Sequence, residues 1–367
     1  MPDNSGKTAD VVVVGAGVIG LACAWRAAQR GLDVVVLEKR TPAAGATGVA
    51  AGMLAPVGEL TFGEKRLLEL TLAASERFPA FVSELQELTG ISTGYRRCGA
   101  LHVALDRDEA EELRRRHELQ RSLDLDAERL APAACREIEP GLAPSITGGV
   151  LAAHEGAVDP RALCAALLAA LDREGAEVRT GAGVSEALID ADRIEGVRTE
   201  AGEEVLAGHV VLANGAWAGD SEWLPANARP EVRPVKGQVL TLRGSASEPV
   251  CERIVASERV YLVPRGDGRL VVGATVEERG FDTTVTAGGV HELLREAYRL
   301  LPEVAELELI ESVAGLRPGT PDNLPLIGPG ALRGLVLATG HYRNGILLAP
   351  LTADLVVGAL ASSEVTA

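Results

Sequence analysis

The 367-residue chain exceeds the usual reach of a single hydrophobic core, so two domains are expected. Its formal charge of −16 leaves no Lys/Arg excess for a phosphate backbone, which excludes a nucleic-acid partner; the acidic surface reads as a solubility feature. Hydrophobic residues make up 47% and aromatics only 3%, so the core must be built from Ala, Val and Leu.

The chain opens as strand, turn, helix, strand. Residues 11–14 are a run of valines suited to a strand buried on both faces. Gly15-Ala16-Gly17-Val18-Ile19-Gly20 follows, then an Ala-rich helical stretch to Arg30 closed by Gly31, then a strand at 33–38. The apolar run 11–24 has the look of a signal h-region or part of a membrane span. Asp3 and Asp10 stand against a single Lys7 before it, and it is too short for a bilayer, so neither is expected.

Apolar spacing predicts a helix over 64–88, with Pro79 a candidate break. Residues 108–123 predict an exposed, highly charged helix whose triplet Arg114-Arg115-Arg116 reads as a solvated face. Asp159-Pro160 opens another helix that ends at Gly175. Short strands alternate with turns over 177–212, and the segment 234–275 is β-rich, with strands at 238–242, 260–263 and 270–274. A helix near 291–301 and a strand near 307–313 come next. The chain closes with a strand at 335–338, a loop at 339–345 and a helix at 346–360.

Cys23, Cys98, Cys135, Cys164 and Cys251 are odd in number and include no C-x-x-C pair. Reduced, buried thiols in a cytoplasmic protein are expected, with no zinc or dithiol site. The six histidines show no H-x₃-H spacing, so no metal site is expected either.

The pattern Gly15-x-Gly17-x-x-Gly20 between a strand and a helix has a physical purpose. The first glycine makes the turn, the second lets a pyrophosphate approach the backbone, and the third lets helix and strand pack closely. The helix N-terminus then offers N–H groups and partial positive charge to phosphates. Glu38, at the end of the second strand, suits ribose hydroxyls and repels a 2′-phosphate, which disfavours NADP. The motif alone does not separate FAD from NAD.

Three further segments bear on that choice: 46–56 (ATGVAAGMLAP), 315–322 (GLRPGTPD) and 340–350 (GHYRNGILLAP). Together with Gly15–Gly20 they resemble, in order and over nearly the whole chain, the flavoprotein amine oxidases of the D-amino-acid oxidase type. Within that family they are most similar to the glycine oxidases of thiamine biosynthesis. The resemblance implies an α/β fold. A Rossmann-like FAD-binding domain of the glutathione-reductase type would be assembled from discontinuous segments (1–85, 146–225 and 311–367). An α+β substrate domain with a mostly antiparallel sheet would take 86–145 and 226–310. It also implies FAD held by Gly15, Gly17, Val18, Ile19, Gly20, Glu38, Lys39, Thr47, Ala51, Gly52, Met53 and the backbone of Val184. The loop His341, Tyr342, Arg343, Asn344, Gly345, Ile346, Leu347 would face the flavin ring. The arginine segment carries no cysteine, so FAD is expected to be non-covalent.

For substrate, the resemblance points to Arg317 as a planar fork for an amino-acid carboxylate, with Arg343, Tyr261, Arg259 and Met53 nearby. Arg259 and Val276 stand where the relatives carry histidine and methionine. The implied reaction is oxidation of a small amino acid, glycine first, with oxygen as acceptor, in a homo-oligomer (tetramer or dimer). No obvious buried base is visible. Two alternatives stay open: a D-amino-acid, sarcosine or proline oxidase or dehydrogenase that feeds a carrier, and a non-catalytic dinucleotide-binding regulator.

Overall fold

A computed structural model describes residues 7–364. Strand Lys7–Val14 lies in the middle of the first of two eight-stranded sheets, because Val11, Val12 and Val13 are hidden on both faces. It pairs in parallel with Glu204–Leu212 on one side and Val34–Glu38 on the other. Leu335–Thr339 continues the parallel sheet beyond Glu204–Leu212, and Glu177–Thr180 continues it beyond Val34–Glu38. Leu326–Pro329 caps one edge antiparallel, and Arg193–Thr199 with Val184–Asp190 forms an antiparallel extension from Glu204–Leu212.

Helix Val18–Ala28 is buried on nearly every side, with only Arg26 among its residues outside the buried set. Its small Gly, Ala and Cys side chains let helices Pro160–Arg173 and Gly345–Glu364 crowd against it, and helix Lys65–Thr89 packs on those two. Trp25 fills the remaining volume edge-on to Phe81, with ring centroids 5.3 Å apart. Among the described residues no helix is long and apolar enough to cross a membrane.

The second sheet runs in the order Glu308–Gly319, Arg233–Arg243, Arg269–Gly273, Tyr261–Pro264, Ile254–Ala256, Ala100–Ala104, Gly148–Ala152, Glu128–Leu130. All its pairs are antiparallel except Ile254–Ala256 with Ala100–Ala104. Helix Ala287–Leu300 buries Leu293, Ala297 and Leu300 in the core of this sheet.

Several elements differ from the sequence expectation. Helix Lys65–Thr89 runs through Pro79 without a break. The proline is exposed, so water can serve the carbonyl it frees, while Phe78, Phe81, Val82 and Leu85 hold the opposite face in the core. The strand expected at 307–313 extends to Gly319, which puts Arg317 and Pro318 on a paired strand. Gly148–Ala152, which the boundary at 146 assigns to the nucleotide-binding part, pairs with Ala100–Ala104 in the second sheet, and the stretch 311–319 lies in the same sheet as the partner of Arg233–Arg243. All five cysteines are free thiols.

Candidate active site

A cavity of about 1110 Å³ runs from the glycine turn of the first sheet to the face of the second. At its nucleotide end Gly15 takes φ 108°, and a Cβ there would stand 2.6 Å from the Ala213 carbonyl oxygen. Gly20 packs the helix on the turn, for its Cβ would stand 2.0 Å from the Gly15 carbonyl oxygen. Gly17 is different. A Cβ there would meet only the Thr47 hydroxyl, at 3.3 Å, so its backbone is open to the cavity.

No side chain of Gly17 caps helix Val18–Ala28, and the Val18 N–H donates instead to Thr47 Oγ1 at 3.1 Å. The Glu38 carboxylate is fixed by the Ala16 N–H at 2.9 Å and the Arg40 N–H at 2.8 Å, beside the cavity. An open glycine backbone, a helix N-terminus and a fixed carboxylate fit the pyrophosphate and ribose of a dinucleotide. Val184 lines the same end, as does Lys39, which pairs with Glu200 at 2.8 Å on the surface.

Ala51, Gly52 and Met53 line the middle of the cavity. The buried Arg265 holds this segment by donating to the Ala51 carbonyl at 2.6 Å and the Val158 carbonyl at 2.8 Å. Opposite lies the loop that ends in helix Gly345–Glu364, and His341, Tyr342, Arg343, Gly345 and Ile346 face the cavity. His341 is buried, shares a 2.9 Å hydrogen bond with Thr352 Oγ1, and is lowered to about 3 by burial. That bond ties its ring to the last helix. Three residues expected at the cofactor do not line the cavity: Gly20, Asn344 and Leu347. Leu347 sits in the core of the first domain, where the helix periodicity turns it, and Asn344 starts the helix by accepting the Leu348 N–H at 2.9 Å.

The substrate end is built on the second sheet. Arg317 donates through Nη1 to the carbonyls of Thr275 (3.1 Å) and Lys236 (3.4 Å), and the Tyr261 phenol lies against its guanidinium. Burial raises the Tyr261 phenol, while the Arg317 charge acts against that rise. Arg343 is committed to the loop before helix Lys65–Thr89, by an ion pair with Glu64 and a 3.0 Å bond to Thr61 Oγ1. Arg259 lies at the mouth, exposed, 3.7 Å from Glu109, and Val276 stands on the rim at 66% exposure.

Sequence reading passed over several wall residues. Arg116, taken as part of a solvated triplet, turns inward to line the cavity and pairs with Glu258, whereas Arg114 and Arg115 pair with their own helix. Trp217 and Trp223 line the wall, Trp217 stacked on Phe281 at 6.1 Å. Glu59 and His102 line the substrate end, and the buried Glu155 lies behind them. None belongs to a motif, so only the folded geometry identifies them.

The cavity thus joins a dinucleotide cradle on one sheet to an arginine and a tyrosine on the other, the arrangement of a cofactor-dependent enzyme. Residues 10–359 match the model of the family described as DAO, FAD dependent oxidoreductase, and the chain belongs to that family. It is 36% identical to a glycine oxidase of Geobacillus kaustophilus over 358 residues, covering 97% of this chain and 93% of that protein. The crystal structure of glycine oxidase from Geobacillus kaustophilus superposes with a TM-score of 0.90 at 36% identity, covering 97% of this chain and 95% of that one. It is also 39% identical to the bifunctional protein ThiO/ThiG of Trichormus variabilis over 351 residues, 95% of this chain. The chain spans about half the length of that relative, 52%.

Proposed function

We propose that the chain oxidises the amine of a small amino acid with FAD, glycine being the first candidate, to an imine that water converts to glyoxylate and ammonia. One observation carries this reading: Arg317 and Tyr261 stand in the same cavity as the Gly15–Gly20 turn. The substrate carboxylate lies across the free edge of the Arg317 guanidinium, with Tyr261 as a second donor. Arg343, Arg259 and Met53 line the same cavity and bound the space left for the substrate. The ADP half of FAD is held by Gly15, Gly17, Val18, Ile19, Glu38, Lys39, Thr47 and Val184; Ala51, Gly52, Met53 and the residues His341–Ile346 that face the cavity hold the ring. The chemistry FAD supplies when bound is acceptance of two electrons with the α-hydrogen, and their passage to oxygen as peroxide. The chain's own part is positioning, with the carboxylate pinned so that the α-carbon meets the ring.

The enzyme acts in the cytoplasm as a homo-oligomer, dimer or tetramer, and its product serves the thiazole of thiamine. The test is direct. The purified protein is expected to show a flavin spectrum, to bleach anaerobically with glycine, and to release peroxide in air. Failure of glycine, sarcosine and D-alanine alike removes the reading, and electron transfer to a carrier without peroxide makes the protein a dehydrogenase.

A further inference from the structure

Glycine at neutral pH is a zwitterion, and an ammonium nitrogen has no lone pair to form the C=N bond when the α-hydrogen leaves. Oxidation at neutral pH therefore draws either on the small free-amine fraction in solution or on a group at the substrate end that accepts the proton. The carboxyls that line the cavity are Glu38, Glu59, Glu200, Glu222, Glu258 and Asp220. Glu38 is held by backbone N–H groups at the nucleotide end, Glu200 is paired with Lys39, and Glu258 with Arg116. Asp220 and Glu222 follow the short turn Gly215–Trp217, whose Trp217 ring lies under Arg40 beside Glu38. Glu59 stands at the other end, with Arg317, Arg343 and Arg116 as its charged neighbours.

We infer that Glu59 takes the proton from the substrate ammonium, an inference that rests on the amine-oxidase reading above. The N–H bond breaks, an O–H bond forms on the Glu59 carboxylate, and the electron pair stays on nitrogen. A cation and an anion become two neutral groups, so the step moves no net charge into the site. The carboxylate that Arg317 grips and the ammonium that Glu59 meets are the two ends of one small zwitterion. That arrangement selects α-amino acids over simple amines and simple acids.

The loop that carries Glu59 is held rigidly for this role. Glu155 Oε1 accepts both the Val57 and Gly58 N–H groups at 2.7 Å. The Val57 carbonyl accepts from Gln120 Nε2 at 2.9 Å. Glu155 Oε2 and His102 Nε2 are both buried without a hydrogen-bond partner, and both close on Gly58, where a Cβ would stand 2.8 and 2.1 Å from them. Burial raises Glu155 to about 8 and lowers His102 to about 3, so near neutrality the pair is an uncharged acid beside an uncharged imidazole. The groups that face Glu59 come from every neighbouring element. Arg116 comes from helix Arg107–Ser122, Arg317 from strand Glu308–Gly319 and Tyr261 from strand Tyr261–Pro264. Arg343 comes from the loop before the last helix, Glu64 from its own loop and Glu155 from behind. Burial raises the Glu59 carboxyl against the pull of Arg343, Arg317 and Arg116, which makes it a better proton acceptor than an exposed carboxylate.

The experiment uses the flavin-loaded enzyme and two readouts. One is the pH profile of kcat/KM for glycine. The other is the affinity of glycolate, which has the carboxylate and no ammonium, read from the bound flavin's absorbance. Glu59→Gln is expected to lower kcat/KM about 10²-fold at neutral pH. The acid limb of its profile should move up to the free amine's own range, while glycolate binds as in the wild type. A wild-type profile in Glu59→Gln overturns the inference, as does a loss that glycolate binding shares in full. If Glu59→Gln fails to hold flavin, Glu59→Ala decides: an acid limb displaced into the free amine's range supports the role, and a wild-type acid limb refutes it. A wild-type enzyme that oxidises no amine defeats the parent reading instead, and the two failures are distinct.

Discussion

The Arg317 guanidinium rests face-on against Gly237: a Cβ at 237 would stand 2.5 Å from Nη1, 2.6 Å from Nη2 and 2.7 Å from Cζ. The two residues lie on neighbouring strands, Val235 being the partner of Arg317 and Gly315 that of Gly237. Only a glycine leaves room for the fork. Gly237→Ala is expected to expel the guanidinium and to raise the KM for glycine roughly 10- to 100-fold, on the scale of one or two charge-assisted hydrogen bonds. Flavin content should not change. Steady-state kinetics on the yellow protein checks this, and an unaltered KM contradicts it.

Removal of the fork itself tests the same contact from the other side. Arg317→Ala is expected to raise KM by on the order of 10² or more with FAD retained, and Arg317→Lys to recover only part of the loss because an ammonium lacks two parallel donors. Unchanged kinetics in the alanine variant rule out a carboxylate role for Arg317.

Two glycines of one motif should fail differently. Gly17 has ordinary extended backbone and open space towards the cavity, so Gly17→Ala should fold with wild-type Tm and bind FAD at least roughly 10-fold more weakly. Gly20 is pressed against the Gly15 carbonyl, so Gly20→Ala should destabilise the apoprotein by about 1–3 kcal/mol or more. Thermal melts beside FAD titrations separate the two, and matching behaviour of the variants counts against the assignment.

Glu155 carries a pH signature. Its carboxyl is raised by burial from 4.5 to about 8, so the native state binds this proton more tightly than the unfolded chain does. The stability it contributes is complete below pH 4.5 and is lost as pH rises through about 8. Glu155→Gln keeps an acceptor for the Val57 and Gly58 N–H groups without a titrating proton. The Tm difference between Glu155→Gln and wild type should therefore grow in the variant's favour across that window. A difference independent of pH refutes the shift.

What the sequence makes legible follows the range of the forces involved. The glycine turn, the helix behind it and Glu38 lie within one βαβ unit, and local backbone demands specify them. Local sequence carries the strand that bears Arg317 only as far as 313, because Pro318-Gly319 reads locally as a turn. Its pairing with Arg233–Arg243, some 80 positions earlier, overrides that preference. Pro79 misled for the same reason, since tertiary burial of one helix face outweighs a local breaker. Glu59, His102, Glu155 and Arg116 come from four separate stretches and share no spacing, so nothing short of the folded arrangement brings them together.

The strand order carries a consequence for biosynthesis. Val12 pairs with Val210, and Val210 in turn with Leu335, so the core of the flavin-binding sheet links the chain's beginning to its far end. A ribosome must deliver more than 200 residues before strand Lys7–Val14 gains that neighbour, and 335 before the neighbour gains its own. The glycine turn is translated long before its sheet is closed. Until strand Leu335–Thr339 has been made, the sheet behind the cofactor cradle lacks one of its parallel members.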